Sequence, residues 1–109
     1  MNKIAVLFAV AATGLLCATA QAAEGRAQIG AKKISMCIGC HGIPGYKIGF
    51  PDTYHVPKLG GQHPEYIVAA LKAYKSGERQ QPTMNSIAAS LSEQDMADIA
   101  AYYAGKKKK

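Results

Sequence analysis

Apolar residues recur at helical spacing in three stretches of this chain. From about Glu24 to Ile38, the positions Ala27, Gly30, Ala31, Ile34 and Cys37 form one stripe and predict a first helix. A second begins at Pro64, because proline suits the first helical position, where an N–H has no partner anyway. Its stripe is Tyr66, Ile67, Ala70, Leu71 and Tyr74, and Gly77 ends it. The third starts at Ser92 with Asp95 three residues on, a variant of the capping box. It carries Met96, Ile99, Ala100 and Tyr103 inward and stops at Gly105, with lysines beyond that suit the negative end of its dipole. Between His41 and Pro64 no strand alternation is visible. Glycine and proline dominate there instead, at Gly42, Pro44, Gly45, Gly49, Pro51, Pro57, Gly60 and Gly61. The pattern predicts an all-α domain of three main helices with one long loop. Loops beyond about 12–15 residues are uncommon in compact domains unless they serve a function. The first and last helices are expected to cross, with Gly30 allowing close approach to Tyr102 or Tyr103.

The N-terminal stretch has a different pattern. Asn2 and Lys3 precede an almost purely apolar run from Ile4 to Leu16, followed by the small-x-small triplets Ala18-Thr19-Ala20 and Ala20-Gln21-Ala22. This is the layout of a secretory signal peptide over residues 1–22, with cleavage after Ala22 or, as the alternative, after Ala20. The apolar run falls short of the about 20 residues that a membrane span needs. Leu16 occupies the place where a lipidated cysteine wants a small neighbour, so Cys17 is expected to leave with the leader. The reading divides the chain into signal peptide 1–22, a domain 23–105 and a basic tail 106–109, with export to the periplasm.

Composition narrows the choice of function. With 109 residues and 49% hydrophobic content, the chain is neither disordered nor a multi-domain enzyme. A domain this small buries a large core only with help from a metal, a disulfide or a cofactor. The formal charge of +6 is mostly terminal, since Lys106 to Lys109 supply four positive charges and read as a solvated tail. No basic face is interleaved with aromatics, so nucleic acid is not an expected partner.

The candidate chemistry lies in Met36-Cys37-Ile38-Gly39-Cys40-His41. A redox disulfide at such a motif belongs with alternating strands and helices, which this chain lacks. Zinc needs four ligands, and there is no second cysteine pair; His55 and His63 have no usual zinc spacing. Cys-x-x-Cys-His is instead the signature of covalent haem attachment. Two thiols add across the two haem vinyl groups, and the adjoining imidazole of His41 reaches the iron. Attachment of this kind takes place outside the bacterial cytoplasm, in keeping with the leader.

A closed iron site needs a second axial ligand, and the candidates are Met36, Met84, Met96, His55 and His63. Met36 is too close to Cys37 to reach the far face, and Met96 falls on an apolar helix stripe. His63 reads better as a helix start before Pro64. Met84 stands in the polar, proline-containing stretch Gln80-Gln81-Pro82-Thr83-Met84-Asn85, read as a loop, where a methionine has little packing reason to be. A soft thioether favours reduced iron and raises the potential; the competing reading makes Met84 a gap-filler.

Taken together, these residues resemble a class I c-type cytochrome, and within that class the cytochrome c4 and single-haem cytochrome c-553 group. The matching stretches are Cys37-Ile38-Gly39-Cys40-His41-Gly42, Pro57-Lys58-Leu59-Gly60-Gly61-Gln62, Tyr66, Ser76-Gly77-Glu78-Arg79, Met84 and the run from Leu91 to Tyr103. They cover nearly all of the chain after the leader. The resemblance implies the small class I cytochrome fold wrapped around one haem c. In it, Cys37 and Cys40 hold the haem, His41 is proximal, Met84 is distal, and the Pro57 carbonyl accepts a hydrogen bond from His41. It places Tyr66 and Arg79 as haem contacts or as packing residues. Two departures stand out. Cytochrome c4 proteins carry two such domains, whereas this chain has one haem motif. The stretch from Gly45 to Val56, with Tyr46, Phe50 and Tyr54, is longer and more aromatic than the group's pattern, serving either as a partner surface or as a cover for the haem.

With both axial positions filled, iron keeps no open site for a substrate. The expectation is a non-enzymatic, periplasmic one-electron carrier working by outer-sphere transfer between periplasmic or membrane-bound redox proteins, with no small-molecule substrate. Two alternatives remain: a haem subunit of a larger dehydrogenase, such as a flavoprotein or sulfur-oxidising complex, and a haem ligand sensor or peroxidase in which Met84 is displaceable.

Overall fold

A computed structural model of the protein describes residues 21–49 and 53–107. All but the last two residues of the signal segment 1–22 lie outside the described residues, as do Phe50, Pro51, Asp52, Lys108 and Lys109. Seven elements follow in order: α1 (Ala27–Gly30), α2 (Ser35–His41), β1 (Lys47–Ile48), β2 (Tyr54–His55), α3 (Pro64–Ser76), α4 (Pro82–Ala89) and α5 (Glu93–Ala104). The fold is mostly helical: α1 packs on α5, and α3 packs on both α4 and α5.

The expected first helix is two helices. Arg26 is extended (φ −116°, ψ 100°), so α1 begins at Ala27. Its backbone N–H donates to Asp98 rather than entering a helical ladder. After Gly30 the bonds Lys32 N–H to Ile29 and Lys33 N–H to Gly30 tighten the chain into three-residue turns. α2 then restarts at Ser35 and runs to His41, so Cys37, Cys40 and His41 all sit on one short helix.

A fourth stretch, expected as a loop, is helix α4. Pro82 occupies its first turn, and the Gln81 side chain accepts from the Met84 N–H, capping the start. The long loop also holds a small antiparallel ladder, Lys47 opposite His55 and Ile48 opposite Tyr54, where no strand was expected. Two-residue strands are too short to show an alternation.

The other two helices begin as their sequences predict. His63 precedes Pro64 at the start of α3, and Gly77 ends it at φ +80°, a conformation that glycine adopts without steric cost. Ser92 and Asp95 form a reciprocal capping box on α5. Gly105 follows at φ −77°, so its role there is not left-handed freedom.

Ile34, Ile67, Leu71, Leu91, Met96, Ile99, Ala100 and Tyr103 form the buried core, which confirms Met96 as a packing residue. At the α1–α5 crossing, a Cβ on Gly30 would lie 2.0 Å from the Asp98 carbonyl oxygen and 3.0 Å from the Tyr102 Cβ. The close approach is therefore to Asp98 and Tyr102 rather than to Tyr103. Asp98 is fully buried there. Its carboxylate accepts from the Arg26 N–H, Nε and Nη2, from Lys33 Nζ at 2.8 Å and from Gln94 Nε2 at 2.9 Å. Arg26 above all, with Lys33 and Gln94, holds that carboxyl far below the usual carboxylate range. Lys33 also reaches Asp95 at 2.6 Å.

Candidate functional site

α2 stays outside the main helix pairings, and an apolar cleft lies beside it. The cleft is lined by Cys37, Cys40 and His41 from α2, by Pro57 and Leu59 from the long loop, by Tyr66, Ile67 and Leu71 from α3, and by Met84 and Ile87 from α4. Arg79 lines it from the α3–α4 connection. All seven residues singled out from the sequence, Cys37, Cys40, His41, Pro57, Tyr66, Arg79 and Met84, thus come together at one place. The rival ligands His55 and His63 do not line it.

Each of these side chains is placed by local structure. Cys37 and Cys40 are three residues apart on a helix, so they share a face; neither is in a disulfide. Burial pushes the Cys37 thiol up from its ordinary pKa. His41 ends α2, and its Nδ1 lies 2.6 Å from the Pro57 carbonyl. A carbonyl only accepts, so Nδ1 carries the proton and Nε2 is the ring's free lone pair. The contact between His41 and the Pro57 carbonyl is thus present, and it orients the ring.

Met84 packs against the core from the first turn of α4. Two neighbours hold that turn. Gln81 accepts from its backbone N–H at 2.6 Å. Asn85 donates to the carbonyls of Tyr74 and Arg79, at 2.7 and 2.8 Å, and so ties α4 to the end of α3. Neither Gln81 nor Asn85 was picked out from the sequence, because polar side chains before and after a proline read as loop composition. Arg79 stacks over the Tyr74 ring, 4.8 Å from its centroid. Tyr66 remains 52% exposed and Met36 50%, so large apolar side chains border the mouth of the cleft.

The donor set fits an iron porphyrin. Two thiols on one helix face can form two thioethers, one imidazole has its Nε2 free, one thioether sulfur sits on a separate helix, and the walls between are apolar. Among the described residues no cluster of three or more His, Cys, Asp or Glu is built to hold a bare metal ion. None of the described helices is long and apolar enough to cross a membrane.

The comparisons with known proteins agree with this geometry. The sequence pattern of the family described as "Cytochrome c" matches residues 22–104. Cytochrome c4 of Pseudomonas aeruginosa is 38% identical over 109 aligned positions, covering 98% of this chain and 50% of that protein. Cytochrome c-554(548) of Halomonas halodenitrificans is 42% identical over 82 residues, covering 72% of this chain and 94% of its own length. Among solved structures, reduced recombinant cytochrome c4 from Pseudomonas stutzeri superimposes with a TM-score of 0.61 at 30% identity, over 76% of this chain and 46% of that one. The chain thus spans about half the length of the cytochrome c4 proteins that it matches.

Proposed function

The chain belongs to the cytochrome c family, whose members carry covalently attached haem c, and from that premise we propose that it is a periplasmic, single-haem, one-electron carrier. When bound, the haem supplies Fe(III)/Fe(II) cycling, and the protein's part is to hold, bury and tune it. Cys37 and Cys40 tether it through sulfur. His41 offers Nε2 as the proximal ligand, oriented by Pro57. Met84 offers its thioether as the distal ligand, favouring the reduced state. Ile67, Leu71 and Ile87 would keep water from the bound group, and Tyr66 and Arg79 would border it. With His41 and Met84 both engaged, the haem would supply one-electron, outer-sphere transfer to other redox proteins.

The observation that carries this reading is the convergence of the Cys37–Cys40–His41 helix face and Met84 on one apolar cleft, with the His41 ring already fixed by Pro57. Replacing Met84 by Ala tests it. The variant is expected to lose the weak long-wavelength absorption of oxidised Met–iron ligation and to show a lower reduction potential. Retention of both would overturn the distal assignment.

A second reading is favoured by one relative. The cytochrome subunit of sulfide dehydrogenase of Chlorobaculum tepidum is 33% identical over 73 residues. In this reading the chain is the haem subunit of a dehydrogenase, with the apolar rim at Met36 and Tyr66 as the contact. A flavoprotein co-eluting stably with the native protein would favour the subunit over the free carrier.

A further inference from the structure

Strand β2 is tied to the Met84 helix by a contact that the carrier reading does not use. Pairing of Ile48 with Tyr54 places Tyr54 on the cleft wall. Its hydroxyl there meets the side-chain amide of Gln81. The orientation of that amide is set at its other end, where Oε1 accepts from the Met84 N–H at 2.6 Å, so Nε2 is the end that reaches Tyr54. A single side chain therefore links Tyr54 to the backbone of Met84. From the opposite direction, Asn85 anchors the same turn to α3 through the carbonyls of Tyr74 and Arg79, and its Oδ1 accepts from the Gln81 N–H at 2.8 Å. Met84 lies between these two holds.

We propose that Tyr54 is a positioning residue for Met84: the β1–β2 ladder is a strap that, through Tyr54 and Gln81, keeps the Met84 thioether from swinging out of the cleft. The inference rests on Met84 as distal ligand. A ligand on the first turn of a helix stands where intrahelical bonding is weakest, so side-chain caps decide how readily the turn opens. Removing the Tyr54 hydroxyl leaves Gln81 without its second partner and loosens the cap that holds the Met84 N–H.

Tyr54→Phe in the holoprotein tests this, since it keeps the ring and removes only the oxygen. The reduced variant is expected to bind carbon monoxide about five-fold more tightly than the parent, the factor that one net hydrogen bond represents. Its oxidised long-wavelength band is expected to weaken. Gln81→Ala should show the same rise in carbon monoxide affinity. Gln81→Glu, whose carboxylate accepts from both the Met84 N–H and the Tyr54 hydroxyl, should restore the parent affinity. Parent-like carbon monoxide binding and an undiminished band in Tyr54→Phe would overturn the strap, even if the variant unfolds more easily. The Met84→Ala variant separates the two layers. If it keeps the band, the distal reading and the strap both fall; if it loses the band while Tyr54→Phe changes nothing, only the strap falls.

Discussion

Two corners of this small domain are built by opposite means. Where the Arg26–Gly30 segment crosses α5, the packing is closed and polar. The buried Asp98 carboxylate is satisfied by Arg26, Lys33 and Gln94, and Gly30 lets the two backbones nearly touch. On the side of α2 and α4 the walls are apolar and open, and Met36 and Tyr66 on the cleft are each about half exposed. The first corner is complete from its own side chains. The second presents apolar surface that the described residues leave open, in a small domain. The difference teaches that a haem bound in the cleft would complete the core beside Leu71, while the polar corner joins the Arg26–Gly30 segment to α5 from the protein's own side chains.

The sharpest way to break the comparison is to withhold the cofactor. The double variant Cys37→Ser/Cys40→Ser is expected to release all its haem on acid–acetone extraction. It is also expected to lose a large part of its helical circular dichroism, because the cleft side then has nothing to fold against. Native helix content without haem would mean that the second corner is as self-sufficient as the first.

The opposite corner is expected to govern stability without touching redox chemistry. Asp98→Ala removes the acceptor common to Arg26, Lys33 and Gln94, and is expected to cost about 3 kcal/mol in denaturant unfolding of the holoprotein. The reduction potential should stay at the parent value. A shifted potential with parent stability would reverse the assignment of the two corners.

Acid should produce a smaller and graded effect at the same corner. Lys33 first, and then the Ser92 cap, lower the Asp95 carboxyl to about 2, and Asp98 titrates lower still. In the unfolded chain these groups take up protons near the ordinary aspartate value of about 3.9. Their stabilisation is therefore fully present above that value, and the Asp95 share is lost as pH falls from about 4 through 2, where the unfolded state holds more protons. Comparing unfolding midpoints of the parent and Asp95→Asn across that window isolates the contribution. The gap between them should narrow as pH falls, and a constant gap would contradict the ion-pair account.

Much of this was legible from residue patterns, and the failures share a cause. Pro64 as a helix start, Gly77 as a stop and the Ser92–Asp95 box each state a local chemical requirement, and each stands where it was expected. Pro82 carried the same first-turn signal as Pro64. It was read as loop because its cap, Gln81, is not among the usual capping residues, and because the helix is held largely by Asn85 reaching α3. The late start at Ala27 and the break after Gly30 are hidden because Arg26 before α1 and Lys33 after it turn toward Asp98, more than sixty residues away. Asp98 itself was visible only as an acid amid the apolar Ala97, Ile99 and Ala100. Tertiary partners of this kind leave no periodicity to read.

The account rests on a porphyrin bound through sulfur to one short helix, and denaturing mass spectrometry of the purified protein tests it most directly. The expected result is one haem mass added to each chain, with peptide mapping placing it on the fragment that contains Cys37 and Cys40. An unmodified chain carrying two free thiols at those positions would contradict the account.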